Sequence, residues 1–368
     1  MNPLRLLVLT RYERLGSSSR VRAYQFLPFL RSQGFDVEVS ALLSDDYVIR
    51  LYNGLPVRVL DVAASYITRV RRVMNASSFN LLWIEKEALP WVPAAWELGL
   101  LSRAGVPFVA DYDDAVFHAY ENHRSPFVRW MHGDRINRIM RGAAAVVVGN
   151  PYIRARARVA GVGNVIELPS VVDLERYPET ERQAPETGRP VVGWMGSPAT
   201  DRFLEIVAEP LRAICARHDA RLLCVGSARA LPGVPVLHEE WSEESESRVL
   251  AQMDVGIMPL PDTPFTRGKC GYKLIQYMAA RLPVVASPVG VNRNLVEHGV
   301  TGLLADSAAE WEAALDTLLG DRTLRKTMGA AGRRVVERQY STAVVAPLLA
   351  AALRAAAGQA GPSDGSRA

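Results

Sequence analysis

Short, wholly apolar runs recur along this chain, and each is followed by a turn and a helical stretch. LRLLVLT from Leu4 comes first, and the turn from Gly16 to Ser19 leads into a helix predicted through Arg31, which Gly34 ends. DVEVSALL follows, then LLWIEKEA from Leu81, PFVADYDDA from Pro107, AAAVVVGN from Ala143 and NVIELPSVVDLERY from Asn164. A run of four to eight apolar residues bounded by turn signals suits a strand buried on both faces. Strands alternating with helices imply a mostly parallel sheet covered on both sides. Between Pro178 and Pro190 the apolar periodicity stops, and PETERQAPETGRP reads as a linker. The pattern then restarts with VVGWMG, the helix DRFLEIVAEPLRAICARH, RLLCVG, PVLHEEW, a helix in SEESESRVLAQM capped by Ser242, DVGIMPL and TGLLA. Helices are predicted from Ala308 to Leu319, from Arg322 to about Gln339, and from residue 341 to Ala357. The expected organisation is therefore α/β, with two doubly wound domains and a cleft between them: residues 1–177, a linker at 178–190, and 191–340. The helix at 341–357 completes the first domain, and 358–368 form a disordered tail.

At 368 residues, 49% hydrophobic and 22% charged, the chain is long enough for two such cores. A net charge of +4 is too small to argue for nucleic acid. Cys215, Cys224 and Cys270 are odd in number and scattered, which fits no zinc or disulfide framework and points to the cytoplasm. The N-terminus lacks the apolar length of a signal peptide, and no stretch approaches a membrane span.

In doubly wound sheets ligands sit at the carboxyl ends of strands, which selects four stretches. The first is Gly16 to Arg22, where Gly16 admits close backbone approach, Ser17 and its neighbours cap a helix, and Arg20 and Arg22 are candidates to contact an acceptor. The second is Asp111 to His118. Asp113 and Asp114 could hold a divalent cation, bind acceptor hydroxyls or cap a helix, and His118 is either structural or an acceptor contact. The third is Gly196 to Arg202, where Gly196, Ser197 and Arg202 repeat the strand–glycine–helix logic. The fourth is Arg267 to Gln276, a Gly/Lys loop opening a helix. There free backbone N–H groups, the helix dipole, Lys269 and Lys273 make an anion site, and Pro283 stops the helix before the strand at Val284. Trp241 reads either as a base-stacking side chain or as core.

Eight arginines, Arg124, Arg129, Arg135, Arg138, Arg141, Arg154, Arg156 and Arg158, occur with Asp134 as the only acid among them. They suggest a face for an anionic membrane surface, each cation there contributing about 1 kcal/mol; the other reading is a solvated helix surface. No aromatic stacking pattern accompanies them, so no nucleic acid is expected.

KLIQYMAARLPVVASPVG resembles the helix–strand signature of the GT4 glycosyltransferases, the glycosyltransferase group 1 family with the GT-B fold. DVGIMPL, LPSVVDLERY and NLVEHGVTGLLA are similar to blocks of that family, while the first domain matches through its N-terminal Gly loop and DYDDA. The resemblance implies two Rossmann-like domains. The first would bind the acceptor and the second a nucleotide-sugar. It also implies retaining transfer to a hydroxyl of a glycan or lipid-linked acceptor, in polysaccharide, lipopolysaccharide or other glycoconjugate synthesis. The family's ribose-binding Glu falls on Gln276, which can still hydrogen-bond a diol. Its sugar-contacting Glu falls on Gly268, and its phosphate-holding turn falls on Gly271, Tyr272 and Lys273. Its phosphate-binding Arg falls on Ser197, with Arg202 nearby, and its first-domain His-Asp pair falls on Asp113-Asp114.

The expected mechanism uses no cofactor and no metal, because Lys269, Lys273 and the helix start at Gly271 neutralise the diphosphate. Asp113 or Asp114 orients the acceptor or the donor sugar. The enzyme is expected in the cytoplasm or at the inner face of the membrane. A GT-B sugar-nucleotide epimerase and a non-catalytic nucleotide-sugar- or glycan-binding protein are the alternatives.

Overall fold

The computed structural model describes residues 3–178 and 188–358. Most of the expected linker and the tail beyond Gly358 lie outside them. The described chain divides into two compact units. One holds the residues up to Ser170, Gly268–Cys270 and those from Val345 on. The other holds Val171–Arg267 and Gly271–Val344. The change of unit thus falls after Ser170, earlier than the boundary expected at 177. The reason is a bridge that pairs Val172 with Ser341 and ties this stretch to the second unit.

In the first unit the strands are β1 (Leu4–Tyr12), β2 (Phe35–Leu43), β3 (Leu81–Glu85), β4 (Phe108–Tyr112), β5 (Ala145–Val148) and β6 (Val165–Glu167). All pair in parallel, in the order β2-β1-β3-β4-β5-β6. In the second they are β7 (Val191–Met195), β8 (Arg221–Val225), β9 (Val236–Glu239), β10 (Val255–Met258), β11 (Val284–Ala286) and β12 (Gly302–Leu304). These are also parallel, in the order β12-β11-β10-β7-β8-β9. Every residue of β3, β4, β5, β7, β10 and β11 is buried, which is why β5, β7, β10 and β11 read as unbroken apolar runs; β3 and β4 each bury one carboxylate, Glu85 and Asp111. Each Leu, Ile or Val so placed stabilises the fold by roughly 1.5–3 kcal/mol.

Local signals account for several helix starts. Asn150 accepts from the Ile153 N–H ahead of Pro151–Val159, and Ser307 with Glu310 forms a reciprocal capping box on Ala308–Gly320. The last helix, Thr342–Gly358, joins the first unit from Val345 on, where Arg354 donates to the Gln33 carbonyl and lies over the Phe35 ring.

Three expected helices differ. The helix after Gly16 ends at Arg22 and resumes at Leu27–Ser32 after a 3-10 turn, because Pro28 has no N–H to continue it. The helix after Thr200 opens as a 3-10 segment, Asp201–Val207, and becomes α-helical only over Ala208–His218. The helix before β10 spans only Glu246–Leu250. Ser242 does not cap it; the Ser242 hydroxyl instead accepts from the Ser245 N–H in a local turn.

Candidate active site

In each sheet the strand order reverses once, and the carboxyl ends flanking that point are where a doubly wound sheet binds ligands. In the first unit the point lies between β1 and β3. The β1 loop brings Ser18 and Ser19 there, and the end of β3 brings Glu85. The Ser18 hydroxyl donates to Glu85 Oε1 at 2.6 Å, and the Ser19 hydroxyl donates to Oε2 at 2.5 Å. The Arg11 backbone N–H donates to the same carboxylate at 2.9 Å. The serines therefore do not cap the helix that follows. Gly16 is its N-cap, Ser17 is exposed, and the hydroxyls of Ser18 and Ser19 are turned to the β3 carboxylate.

Directly after Glu85 the backbone makes a three-residue turn in which the Glu87 N–H donates to the Glu85 carbonyl at 2.7 Å. Its central residue, Lys86, has φ +62°, a strained conformation for a side chain of this size. Lys86 is 6% exposed, and its Nζ lies 3.0 Å from Asp113 Oδ1 and 3.9 Å from Glu85 Oε1. Burial alone would raise the Asp113 carboxyl, but the Lys86 ammonium and the Arg22 guanidinium hold it below the usual carboxylate range. Burial would likewise lower Lys86, and Asp113 and Glu85 outweigh it and raise the ammonium's pKa. Asp113 is thus an ionised, buried acceptor, and Asp114 beside it is half-buried.

Arg22 is committed elsewhere. Its Nε and Nη2 bind Asp111 Oδ1 at 2.9 and 2.8 Å, and its Nη1 donates to the Leu168 carbonyl at 3.0 Å. Arg20 is buried, with Nη1 donating to the Arg14 and Leu15 carbonyls. The His118 ring shares a hydrogen bond of 2.9 Å with the Tyr152 hydroxyl, and its Nδ1 lies 3.4 Å from Glu121. Burial lowers its pKa and favours the neutral imidazole. Of the residues expected to meet an acceptor, all three thus have internal partners. The Glu85–Lys86 turn, missed in the sequence, lies at the sheet's reversal point.

In the second unit the point lies between β7 and β10. Tyr272–Ala279 starts at Gly271, whose φ of +68° only glycine adopts readily. Gly196, just past β7, leaves room for the Lys273 stem: a Cβ there would lie 2.7 Å from Lys273 Cε and 2.6 Å from the Trp194 ring. Lys273 Nζ stands 5.4 Å from the centre of the Trp194 ring. Tyr277, on the same helix, accepts from the Met195 N–H at 2.8 Å and fixes helix to strand. Gly196, Gly271 and Lys273 are thereby brought together. Gln276 is 5% exposed, Tyr272 and Ser197 are half-buried, and Arg202 is exposed beside the Phe203 ring.

Lys269 belongs with Gly268 and Cys270 to the first unit, where Asn150 Nδ2 donates to the Gly268 carbonyl at 2.9 Å. Trp241 is half-buried against the core, and its Nε1 donates to Glu246 at 3.0 Å.

The arginines from 124 to 158 do not form one free face. Arg135 is buried on Glu97, Arg141 binds Asp134, Arg154 binds Glu167, and Arg156 binds Glu121.

Residues 189–321 match the family described as Glycosyl transferases group 1, and that stretch of the second unit carries the family's signature. A GDP-mannose-dependent alpha-mannosyltransferase of Mycolicibacterium smegmatis is 29% identical over 189 residues, 49% of this chain and 47% of the relative. The chain thus matches about half the length of that relative. Sucrose-phosphate synthase from Thermosynechococcus elongatus superposes with a TM-score of 0.72 at 18% identity, over 96% of this chain and 98% of the other. Anabaena HepE, in complex with UDP and glucose, superposes with a TM-score of 0.68 at 17% identity, over 95% and 99%. The fold is that of these glycosyltransferases, GT-B.

Proposed function

We propose that this chain, with its group 1 signature and GT-B fold, is a retaining glycosyltransferase that moves a sugar from a nucleoside-diphosphate sugar to an acceptor hydroxyl. The carrying observation is the approach of the Lys273 stem to Gly196 beside the helix start at Gly271. This arrangement sets an ammonium and the positive end of a helix beside one another, where the leaving diphosphate would gain charge. As the bond from the sugar to the diphosphate breaks, Lys273 and the helix start stabilise the leaving oxygens. The acceptor hydroxyl attacks on the same face, and its proton passes to the leaving phosphate, so the reaction needs no metal. Gln276, one turn after Lys273 on the same helix, offers its amide to the ribose diol. Asp113, kept ionised by Lys86, accepts a hydrogen bond from the acceptor hydroxyl or the donor sugar, with Asp114 beside it. The relatives' names support a nucleotide-sugar donor and leave the sugar open.

A thermal-shift panel of UDP-, GDP-, ADP- and dTDP-sugars is the test, since a ligand of the folded state raises apparent stability. At least one nucleotide is expected to raise the melting temperature, and Lys273→Ala is expected to lower turnover with that donor by about 10²-fold or more. No shift with any nucleotide, or near-normal transfer by folded Lys273→Ala, would overturn the proposal.

A further inference from the structure

We propose that the first unit docks on an anionic lipid bilayer through the face carried by the helices Val59–Met74, Ala94–Ala104 and Pro126–His132. The inference is independent of the transfer reaction and rests on where the unit leaves its apolar side chains. Leu60 is 83% exposed, Trp130 80%, Trp96 75%, Val59 75%, Met74 61% and Phe127 60%. A soluble surface scatters such side chains singly, as it does Val159, 85% exposed on Pro151–Val159, whereas these six fall on three helices of the unit.

The first two helices pack against each other, and the third meets the loop between β3 and the second helix through His132. The first two border a groove of about 530 Å³ whose walls include Tyr66, Ile67, Val70, Leu89, Trp96 and Leu100. Trp91, in the loop that supplies Leu89 and Val92 to the groove, has its ring 6.3 Å from that of His132 on the third helix.

Charge selects the occupant. Residues 55–75, 89–104 and 122–133 expose Arg58, Arg71, Arg103, Arg124 and Arg129. Asp61 is the only exposed acid in them, and Glu97 is buried on Arg135. Tryptophan beside arginine on an apolar, cationic face is the composition that settles at a lipid headgroup boundary, with rings among the acyl chains and guanidinium groups on phosphates. A second copy of this chain would bring the same cationic face against itself, which like charges oppose. This face extends beyond the arginine run: it draws Arg124 and Arg129 from it and excludes Arg135, which is buried.

The test is flotation of the full chain with vesicles of phosphatidylglycerol and phosphatidylcholine, and with phosphatidylcholine alone. The chain is expected to float with the anionic vesicles and to partition onto neutral ones about tenfold less. Trp96→Ser/Trp130→Ser changes only exposed side chains, so its melting temperature should match the parent while its flotation is lost. Arg124→Glu/Arg129→Glu should lose the preference for anionic vesicles. The proposal is overturned if the parent stays at the bottom of the gradient, or if Trp96→Ser/Trp130→Ser floats as the parent does. A dimer that the tryptophan variant dissociates, without vesicle binding, would assign the face to self-association and overturn it as well.

Discussion

Ala115 occupies the space that a side chain at residue 268 would need. A Cβ on Gly268 would lie 2.2 Å from the Cβ of Ala115, and Ala115 is fully buried directly after Asp113 and Asp114. The Gly268 carbonyl is held by Asn150, so the loop is anchored at this residue. The position where the family resemblance implies a sugar-contacting Glu is therefore closed by the DYDDA segment.

Restoring that residue should not restore a contact. Gly268→Glu is expected to lower the melting temperature and turnover together, since forcing atoms into a packed site costs about 1–3 kcal/mol. Thermal unfolding and a transfer assay check this. A variant as stable as the parent and faster in transfer would contradict it.

A smaller change probes the second unit. Gly196→Ala places a methyl 2.7 Å from Lys273 Cε and 2.6 Å from the Trp194 ring. The Lys273 stem is flexible and can yield, but the buried Trp194 ring cannot, so stability should fall by about 1–3 kcal/mol while the ammonium moves. Calorimetry with the preferred nucleoside diphosphate should show weaker binding. Unchanged affinity would remove Lys273 from the donor site as proposed.

Glu85 organises the β1 loop by accepting from Ser18, Ser19 and the Arg11 N–H. Glu85→Ala leaves buried donors without a partner, and hydrogen bonds to charged groups contribute roughly 1.5–3 kcal/mol each. Urea unfolding should show a loss of about 4.5 kcal/mol or more, and about 1.5 kcal/mol for Ser18→Ala. Equal losses in the two variants would argue against a shared carboxylate hub.

Lys86→Met should cost about 3–5 kcal/mol, because it leaves the Asp113 charge buried and unpaired. Lys86→Met/Asp113→Asn, which removes both charges, should recover much of that loss. The pH dependence follows from the two shifts. Asp113 is depressed in the fold, so its contribution is present above the ordinary value of 3.8 and is lost as pH falls through its folded value. Lys86 is raised, so its contribution is present below 10.5 and is lost only as pH rises beyond. Burial, with the Asp113 charge adding to it, raises the neighbouring Asp111 to about 6. The stability gap between the parent and the double variant should therefore be flat from neutrality up to 10.5 and should change in acid. A gap that varies between neutrality and 10.5 would sink the pair's assignment.

Much of this architecture was legible in the residues. A strand buried on both faces is apolar except where a polar side chain finds a partner, so β5, β7, β10 and β11 announce themselves by composition, while β3 ends in the buried Glu85. Residues 322–339 read as a helix in the sequence, and the structure has one there with Asp321 accepting from the Leu324 N–H at its start. Polar side chains were read less well. Serines after a glycine suggest caps, yet Ser18 and Ser19 bind a carboxylate 67 and 66 residues away, and no local pattern records such a partner. Arg22 looked like a ligand contact for the same reason, while Asp111, 89 residues on, holds it.

Lys86 marks the division most clearly. Periodicity determined that the chain would build two parallel sheets, because alternating buried strands and amphipathic helices have few other ways to hide their apolar faces. It also placed each strand's carboxyl end, and with it the Gly/Lys loop before Tyr272. It could not rank the ends against one another. That ranking depends on strand order, which the long-range pairing of β1 with β3 and of β7 with β10 decides. Only after those pairings do Glu85 and Lys86 stand at the reversal point beside the β1 loop, and Lys273 beside Gly196.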